Sequence, residues 1–271
     1  MLSQPADAMN ATIHSSTLTP ARRPRVPMRP RGLRHHVALA LAAVCLICLT
    51  AGSGVAYAGV SSHVQATQEL AVLLAPHAAH RTAEVSSPRM TVVPARRPIT
   101  GAQTTLPVLS RSISADGTRW LLVMLPGRPD GSTGWIVQQG TRPSVTNLSI
   151  VVQLGARRVN VYSNGHLARS FRAVVGKPST PTPTGQFFVE EALKMTAGEP
   201  GGPFALALSA RSNALQEFEG GPGQIAIHGT ENLGGTLGTA ASHGCIRLGT
   251  AAIDWIAARI GAGIPVAIEA H

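Results

Sequence analysis

The chain has 271 residues, 44% of them hydrophobic, and a formal net charge of +10. A chain of this length and apolar content is not disordered as a whole, and it can form one substantial core and a smaller second one. Half of the net charge comes from six arginines before residue 37, opposed only by Asp7. No basic patch with interleaved aromatic residues follows, so the composition argues against nucleic-acid binding.

The first 60 residues have the pattern of an export signal. Residues 1–36 combine proline, arginine and small polar residues without apolar periodicity, which predicts a disordered cytoplasmic tail. Residues 37–60 carry no charge and are long enough to cross a bilayer, which needs about 20 residues. The preceding arginines favour a retained single-pass anchor in the cell membrane, with the rest of the chain extracytoplasmic. Cleavage after Ala58 and secretion to the cell wall is one alternative, and a buried core helix is another.

The three cysteines are unevenly distributed. Cys45 and Cys48 lie inside the apolar segment, which leaves Cys245 as the single cysteine of the exported part. An exported domain that used cysteine for stability would carry an even number of them. Cys245 is therefore a candidate reactive thiol.

Residues 61–99 mix alanine, histidine, serine and proline and are interpreted mainly as a spacer. The apolar run from Leu70 to Leu74 is expected to form a brief helix before Pro76.

Residues 100–140 contain short apolar runs separated by turn signals, which predict several short β-strands. The closing segment Gly134-Trp135-Ile136-Val137 resembles the last strands of bacterial SH3-like domains. That resemblance implies a small β-barrel beside a wall-acting catalytic domain. An irregular β-rich extension packed on the main domain is the alternative.

Residues 144–271 are the most regular part of the chain and predict a mainly β domain. Asn164-Gly165, between two alternating segments, is a strong signal for a β-hairpin. The later strand candidates are Phe171–Val175, Gln186–Glu190, Phe204–Leu208, Gln224–Ile227 and Ile264–Glu269. One late helix is predicted from the apolar face of Ile253, Ile256 and Ile260, with Thr250 as N-cap. The glycine-rich stretch between residues 193 and 222 is expected to form either a mobile wall or an ordinary surface loop.

A catalytic thiol needs a base within hydrogen-bonding reach and donors for the oxyanion that forms. Gln224–Ile227 reads as a buried strand that delivers His228 at its end. A glycine-rich crossing then leads to Ser242-His243-Gly244-Cys245, where Gly244 permits a tight approach. The two segments together have the composition of a cysteine–histidine site.

This pair of segments resembles the signature of the L,D-transpeptidase (YkuD) family. The chain carries His228-Gly229-Thr230 followed by Ser242-His243-Gly244-Cys245-Ile246-Arg247-Leu248, and the upstream segment Thr182–Phe187 also resembles that family. The resemblance covers roughly residues 147–270. One departure is Arg247, where some members have asparagine, and it affects only the expected substrate contacts.

The resemblance implies an L,D-transpeptidase-type β-sandwich with a late helix, no cofactor and no metal. It implies that Cys245 is the nucleophile, His228 the general base and the Gly229 carbonyl the group that orients the imidazole. His243 and Gly244 would then shape the oxyanion site, and Arg247, Ser242 and Thr230 would contact substrate. For Arg247 a structural ion pair is an equal alternative, and for His243 a purely structural role is the alternative.

The implied reaction is cross-linking of peptidoglycan stem peptides through a cysteine thioester, with carbapenem-type β-lactams as inhibitors. A cysteine-dependent peptidoglycan carboxypeptidase or hydrolase remains an alternative, because water can replace the acceptor amine. A non-catalytic wall-binding module is a second alternative. A zinc site built from His228, His243 and Cys245 is a third, although no fourth ligand is evident.

Overall fold

The computed structural model describes residues 64–217 and 221–271. The chain divides into two units, Met1–Tyr57 and Ala58–His271, and the described residues belong to the second. The predicted tail (1–36) and apolar segment (37–60), with Cys45 and Cys48, lie outside the described residues. Within the described part, no helix is long and apolar enough to cross a membrane.

Seven strands form the first sheet. They are β1 (Gln68–Leu73), β2 (His77–His80), β3 (Arg89–Val93), β4 (Thr105–Ile113), β5 (Arg119–Met124), β6 (Thr133–Val137) and β7 (Thr141–Thr146). Their order in the sheet is β3-β2-β6-β5-β4-β1-β7. Trp120, Leu73, Leu106 and Ile136 are fully buried in it, so this sheet has an apolar core of its own.

Two predictions for residues 61–99 are wrong. The segment from residue 68 to 93 supplies three strands of the first sheet and is not a spacer. The run from Leu70 is strand β1 and not a helix, because it pairs antiparallel with both β4 and β7 and is buried between them. The SH3-like resemblance of residues 100–140 stays a prediction, since the sheet also draws strands from both sides of that region.

The second sheet contains nine strands. They are β8 (Leu148–Gln153), β9 (Arg158–Ser163), β10 (His166–Gly176), β11 (Gly185–Lys194), β12 (Phe204–Arg211), β13 (Gln224–His228), β14 (Ala240–Ser242), β15 (Ile246–Leu248) and β16 (Pro265–Glu269). Their order is β14-β10-β15-β13-β12-β11-β16-β8-β9, with β10 also paired to β9. All five later strand candidates are confirmed. The stretch from residue 193 to 222 is not a single loop, because strand β12 runs through it.

The second sheet forms two layers, and the long strands β10 and β11 each take part in both. The first part of β10 pairs with β9, while its last residues pair with β15 and β14. In the same way, β11 pairs first with β16 and then with β12. The apolar side chains of both layers meet in one core that includes Phe187, Leu206 and Ile227.

The local turn and helix predictions hold with two corrections. Asn164 and Gly165 both have positive φ, as the predicted two-residue hairpin requires. Helix α1 (Thr250–Ala257) buries Ile253 and Ile256 against the core, whereas Ile260 is buried but lies beyond the end of the helix. Its N-cap is Gly249 and not Thr250, which is the first helical residue, and no side chain caps the helix.

Strand β11 connects the two sheets. Its neighbouring residues Phe187 and Phe188 belong to different cores, Phe187 to that of the second sheet and Phe188 to that of the first. Successive side chains of a strand point to opposite faces, so one strand serves both cores. Burial of each phenylalanine contributes roughly 1.5–3 kcal/mol. The first sheet is thus packed directly on the second.

Candidate active site

The centre of the site is a parallel pair of strands, β13 and β15. Ile227 lies opposite Ile246, and His228 lies opposite Arg247. Paired residues present their side chains on the same face, so His228 and Arg247 share a face. Cys245 immediately precedes β15, and its Sγ lies 4.0 Å from the carbonyl oxygen of Gln224 at the start of β13. The pairing therefore brings the segments of His228 and Cys245 side by side.

One nitrogen of the His228 ring is committed to the backbone. Nδ1 lies 2.7 Å from the carbonyl oxygen of Gly229, and because a carbonyl only accepts, Nδ1 carries the proton of the neutral ring. Nε2 is then the nitrogen that can accept a proton. This is the orienting contact that the sequence predicts for Gly229.

The surroundings of His228 favour its neutral form. Burial lowers the pKa of His228 below its ordinary value of 6.5, and the positive charge of Arg247 acts in the same direction. Hydrogen bonding with the Gly229 and Gly201 backbones opposes both effects. A neutral imidazole at physiological pH is the form that can act as a general base.

Gly201 covers the protonated side of the ring. It has a φ of +90°, and a Cβ at this position would lie 2.7 Å from His228 Nδ1. Its own N–H donates to the Glu231 carbonyl at 2.7 Å, which fixes the backbone there. Only glycine fits, because both the φ and the close approach exclude a side chain.

A buried hydrogen-bond network holds the turn before Cys245. The Ser242 hydroxyl donates to the Cys245 carbonyl at 2.6 Å and accepts from the Gly244 N–H at 3.1 Å. Thr182 donates to the Gly244 carbonyl at 2.7 Å. The turn also needs glycine at position 244, where φ is +121° and a Cβ would lie 3.0 Å from Ile225 Cδ1.

This network corrects the role expected for Ser242. Its side chain is fully buried and serves the turn, so it is not placed to contact substrate. The Gly244 N–H donates to the Ser242 hydroxyl in the same network, and a role of Gly244 at the oxyanion site stays a prediction. Both residues support the position of the thiol.

His243 lies on the exposed side of the turn. Its Nε2 is 3.4 Å from Lys177 Nζ, an ammonium group that the sequence did not single out. The backbone N–H of Lys177 also donates to the Ser242 carbonyl at 3.0 Å, so Lys177 contacts both His243 and the backbone of Ser242. His243 and Lys177 together place polar groups at the turn before Cys245.

Arg247 and Thr230 border the site. Nη1 of Arg247 donates to the Gly234 carbonyl at 2.6 Å, whereas its Nε is buried without a hydrogen-bond partner. Among the residues the structure describes, no carboxylate forms a salt bridge with Arg247. Thr230 is half-buried and begins the turn closed by the Leu233 N–H.

No group of three or more His, Cys, Asp or Glu residues in the described ranges is arranged to hold a metal ion. What the geometry offers is a half-buried thiol on a segment next to the strand that carries an oriented imidazole. That arrangement can carry out acyl transfer through a covalent intermediate.

Comparison with known proteins identifies the family of the chain. The model of the L,D-transpeptidase catalytic domain (YkuD) matches residues 147–268. The YkuD protein of Bacillus licheniformis is 31% identical over 147 residues, which cover 51% of this chain and 79% of that protein. The chain belongs to the YkuD L,D-transpeptidase family. The YkuD protein of Bacillus subtilis is similar at 29% identity over 161 residues, covering 58% of this chain and 80% of that protein.

A solved L,D-transpeptidase from Mycobacterium tuberculosis, crystallised with a faropenem-derived adduct, also resembles the chain. It is 16% identical, with a TM-score of 0.39, and the match covers 61% of this chain and 91% of the solved one. The YkuD domain matched in the chain begins at residue 147, directly before β8. This agrees with the start of the resemblance predicted from sequence.

Proposed function

We propose that this YkuD-family protein cross-links peptidoglycan stem peptides through a thioester on Cys245. The observation that carries the proposal is the contact of His228 Nδ1 with the Gly229 carbonyl, which leaves Nε2 to accept a proton, on a strand paired with the segment that follows the thiol. Family membership supports the substrate class.

The first half-reaction forms the acyl-enzyme. His228 takes the proton of the Cys245 thiol, and the thiolate attacks the carbonyl carbon of the third stem residue. The C–N bond to the terminal D-amino acid then breaks, and His228 returns the proton to the departing amine. The product is a thioester between Cys245 Sγ and the shortened stem.

The second half-reaction transfers the stem. The amine of another stem attacks the thioester, His228 accepts its proton, and the C–S bond breaks to release the thiol. His243 stabilises the developing oxyanion, and Arg247 binds a stem carboxylate, for which its planar guanidinium is suited. Carbapenem-type β-lactams would acylate the same thiol, because their strained amide replaces the stem carbonyl.

The direct test is mass spectrometry of the purified full-length chain incubated with disaccharide-tetrapeptide. We expect a mass increase on the peptide containing Cys245, release of the terminal D-amino acid and a cross-linked dimer. Shortened stems without any dimer would instead favour the cysteine-dependent carboxypeptidase. Peptidoglycan binding without any adduct would favour the wall-binding module.

We propose that residues 37–60 anchor the chain in the cell membrane, with the catalytic domain outside. The six arginines before this segment and its lack of charge support this orientation. Protease added to intact spheroplasts is then expected to remove the catalytic domain and spare residues 1–36. A catalytic domain that is digested only after detergent lysis would contradict the topology, and a mature chain that starts after Ala58 would indicate secretion.

A further inference from the structure

The loop between β5 and β6 of the first sheet, residues 125–132, contacts the second sheet. Nη2 of Arg128 donates to the Ser212 carbonyl at 2.8 Å and to the Pro222 carbonyl at 3.3 Å. Oδ1 of Asp130 accepts from the Arg211 N–H at 2.9 Å. The loop therefore holds both the end of β12 and the approach to β13.

These contact points are linked to the reacting thiol through Gln224 of β13. Arg211 is paired with Gln224 in the register of β12 and β13. The Gln224 carbonyl is the group that lies 4.0 Å from Cys245 Sγ. The N–H of Ser212 donates to the Gly223 carbonyl at 2.8 Å. A shift of these strand ends would move the start of β13 against Cys245.

Arg97, in the connection between β3 and β4 of the first sheet, is also linked to Arg211, through Glu190 of the second sheet. Glu190 of β11 lies between two arginines: Arg97 donates to one of its oxygens, and Arg211 Nη2 donates to the other at 3.0 Å. The side chains of all three residues are at least 91% buried. Breaking such a group leaves a buried charge without its partner, so Arg211 has little freedom to move.

We propose that Arg128 and Asp130 are positioning residues of the active site, which hold the start of β13 against Cys245 for acylation by a bulky stem peptide. Arg128 acts through the two backbone carbonyls and does not contact the reacting atoms. The role in acylation rests on the proposed function. The first sheet is accordingly a structural part of the catalytic site.

The test compares Arg128→Ala with Arg128→Lys in the full-length chain. Arg119→Ala is the matched control, because Arg119 is an exposed arginine at the opposite end of β5. Three quantities are measured: amide hydrogen exchange in peptides covering 205–217 and 221–228, alkylation of Cys245 by iodoacetamide, and the acylation rate with disaccharide-tetrapeptide. Peptide mapping separates Cys245 from Cys45 and Cys48.

For Arg128→Ala we expect faster exchange in both peptides and acylation slowed by roughly tenfold to a hundredfold. The reason is that a small displacement of the reacting groups lowers the rate by about that factor. Iodoacetamide is small and needs no bound pose, so alkylation stays within about twofold of the wild type. Lysine restores most of the rate because its ammonium can donate to both carbonyls.

Unchanged exchange in Arg128→Ala overturns the proposal, whatever the wild type does with stem peptides. Equal slowing by Arg119→Ala, or alkylation that falls in parallel with acylation, also overturns it. If the wild type is not acylated at all, the proposed function fails, and the exchange data still decide whether Arg128 holds these strand ends.

Discussion

Replacement of Cys245 by alanine is expected to abolish acyl-enzyme formation and cross-linking while the fold remains intact. The reason is chemical, since no other cysteine lies in the described residues and a methyl group cannot form the thioester. Cys245 is only half-buried, so loss of its sulfur removes little packing. A loss of on the order of 10⁴-fold or more is expected from removal of a nucleophile.

The measurement is mass spectrometry after incubation with disaccharide-tetrapeptide and, separately, with a carbapenem. Cys245→Ser is the matched control, because it keeps the geometry but supplies a weaker nucleophile. Circular dichroism checks that both variants fold. Turnover retained by Cys245→Ala would exclude the thioester mechanism, and a wild type that gains no carbapenem adduct would count strongly against it.

Replacement of His228 and replacement of His243 are expected to impair different steps of the reaction. His228→Ala should slow alkylation of Cys245 by iodoacetamide near neutral pH, because the thiol loses the base that favours its thiolate. His243→Ala should be alkylated almost normally. It should nevertheless be acylated by stem peptide on the order of a hundredfold more slowly, as loss of an oxyanion contact typically costs.

The pH dependence of Cys245 alkylation is expected to differ between the two histidine variants. Because burial and Arg247 lower the pKa of His228, its imidazole stays neutral to a lower pH than an ordinary histidine. Wild-type alkylation should therefore persist below pH 6.5 and fall only as His228 becomes protonated. In His228→Ala the profile should move towards pH 8.5, about where an unassisted thiol ionises. A shift of the profile in His243→Ala and none in His228→Ala would reverse the assignment.

The catalytic domain was largely predictable because its signals are local. Alternating apolar residues mark the strands, Asn164-Gly165 marks the hairpin, and one apolar face marks the helix. The first three strands were not predictable in this way. β2 has only four residues, and β1 has a short apolar run after Gln68 and Glu69, so both depend on partners far away in the sequence.

The residues of the site also divide into those that a local sequence pattern indicates and those that it does not. Cys245 and His228 stand in recognisable segments, and the structure brings those segments together. Gly201 and Lys177 reach the site only through tertiary packing, so no local pattern indicates them. The same holds for the contacts of Arg128 with the backbone of residues 212 and 222. Ser242 was misassigned because the sequence shows a hydroxyl next to the thiol but not the backbone groups to which that hydroxyl bonds.

The position of β16 determines when the catalytic domain can fold. This strand lies between β11 and β8, and it pairs in parallel with β8, with Val266 opposite Ile150. Until Glu269 has been synthesised, β8 and β11 each expose an edge that lacks its neighbour. Such edges are prone to pairing with other chains, and contacts this distant in sequence form slowly. The catalytic domain is therefore expected to remain unfinished throughout its synthesis and to complete its core only after the last strand is available.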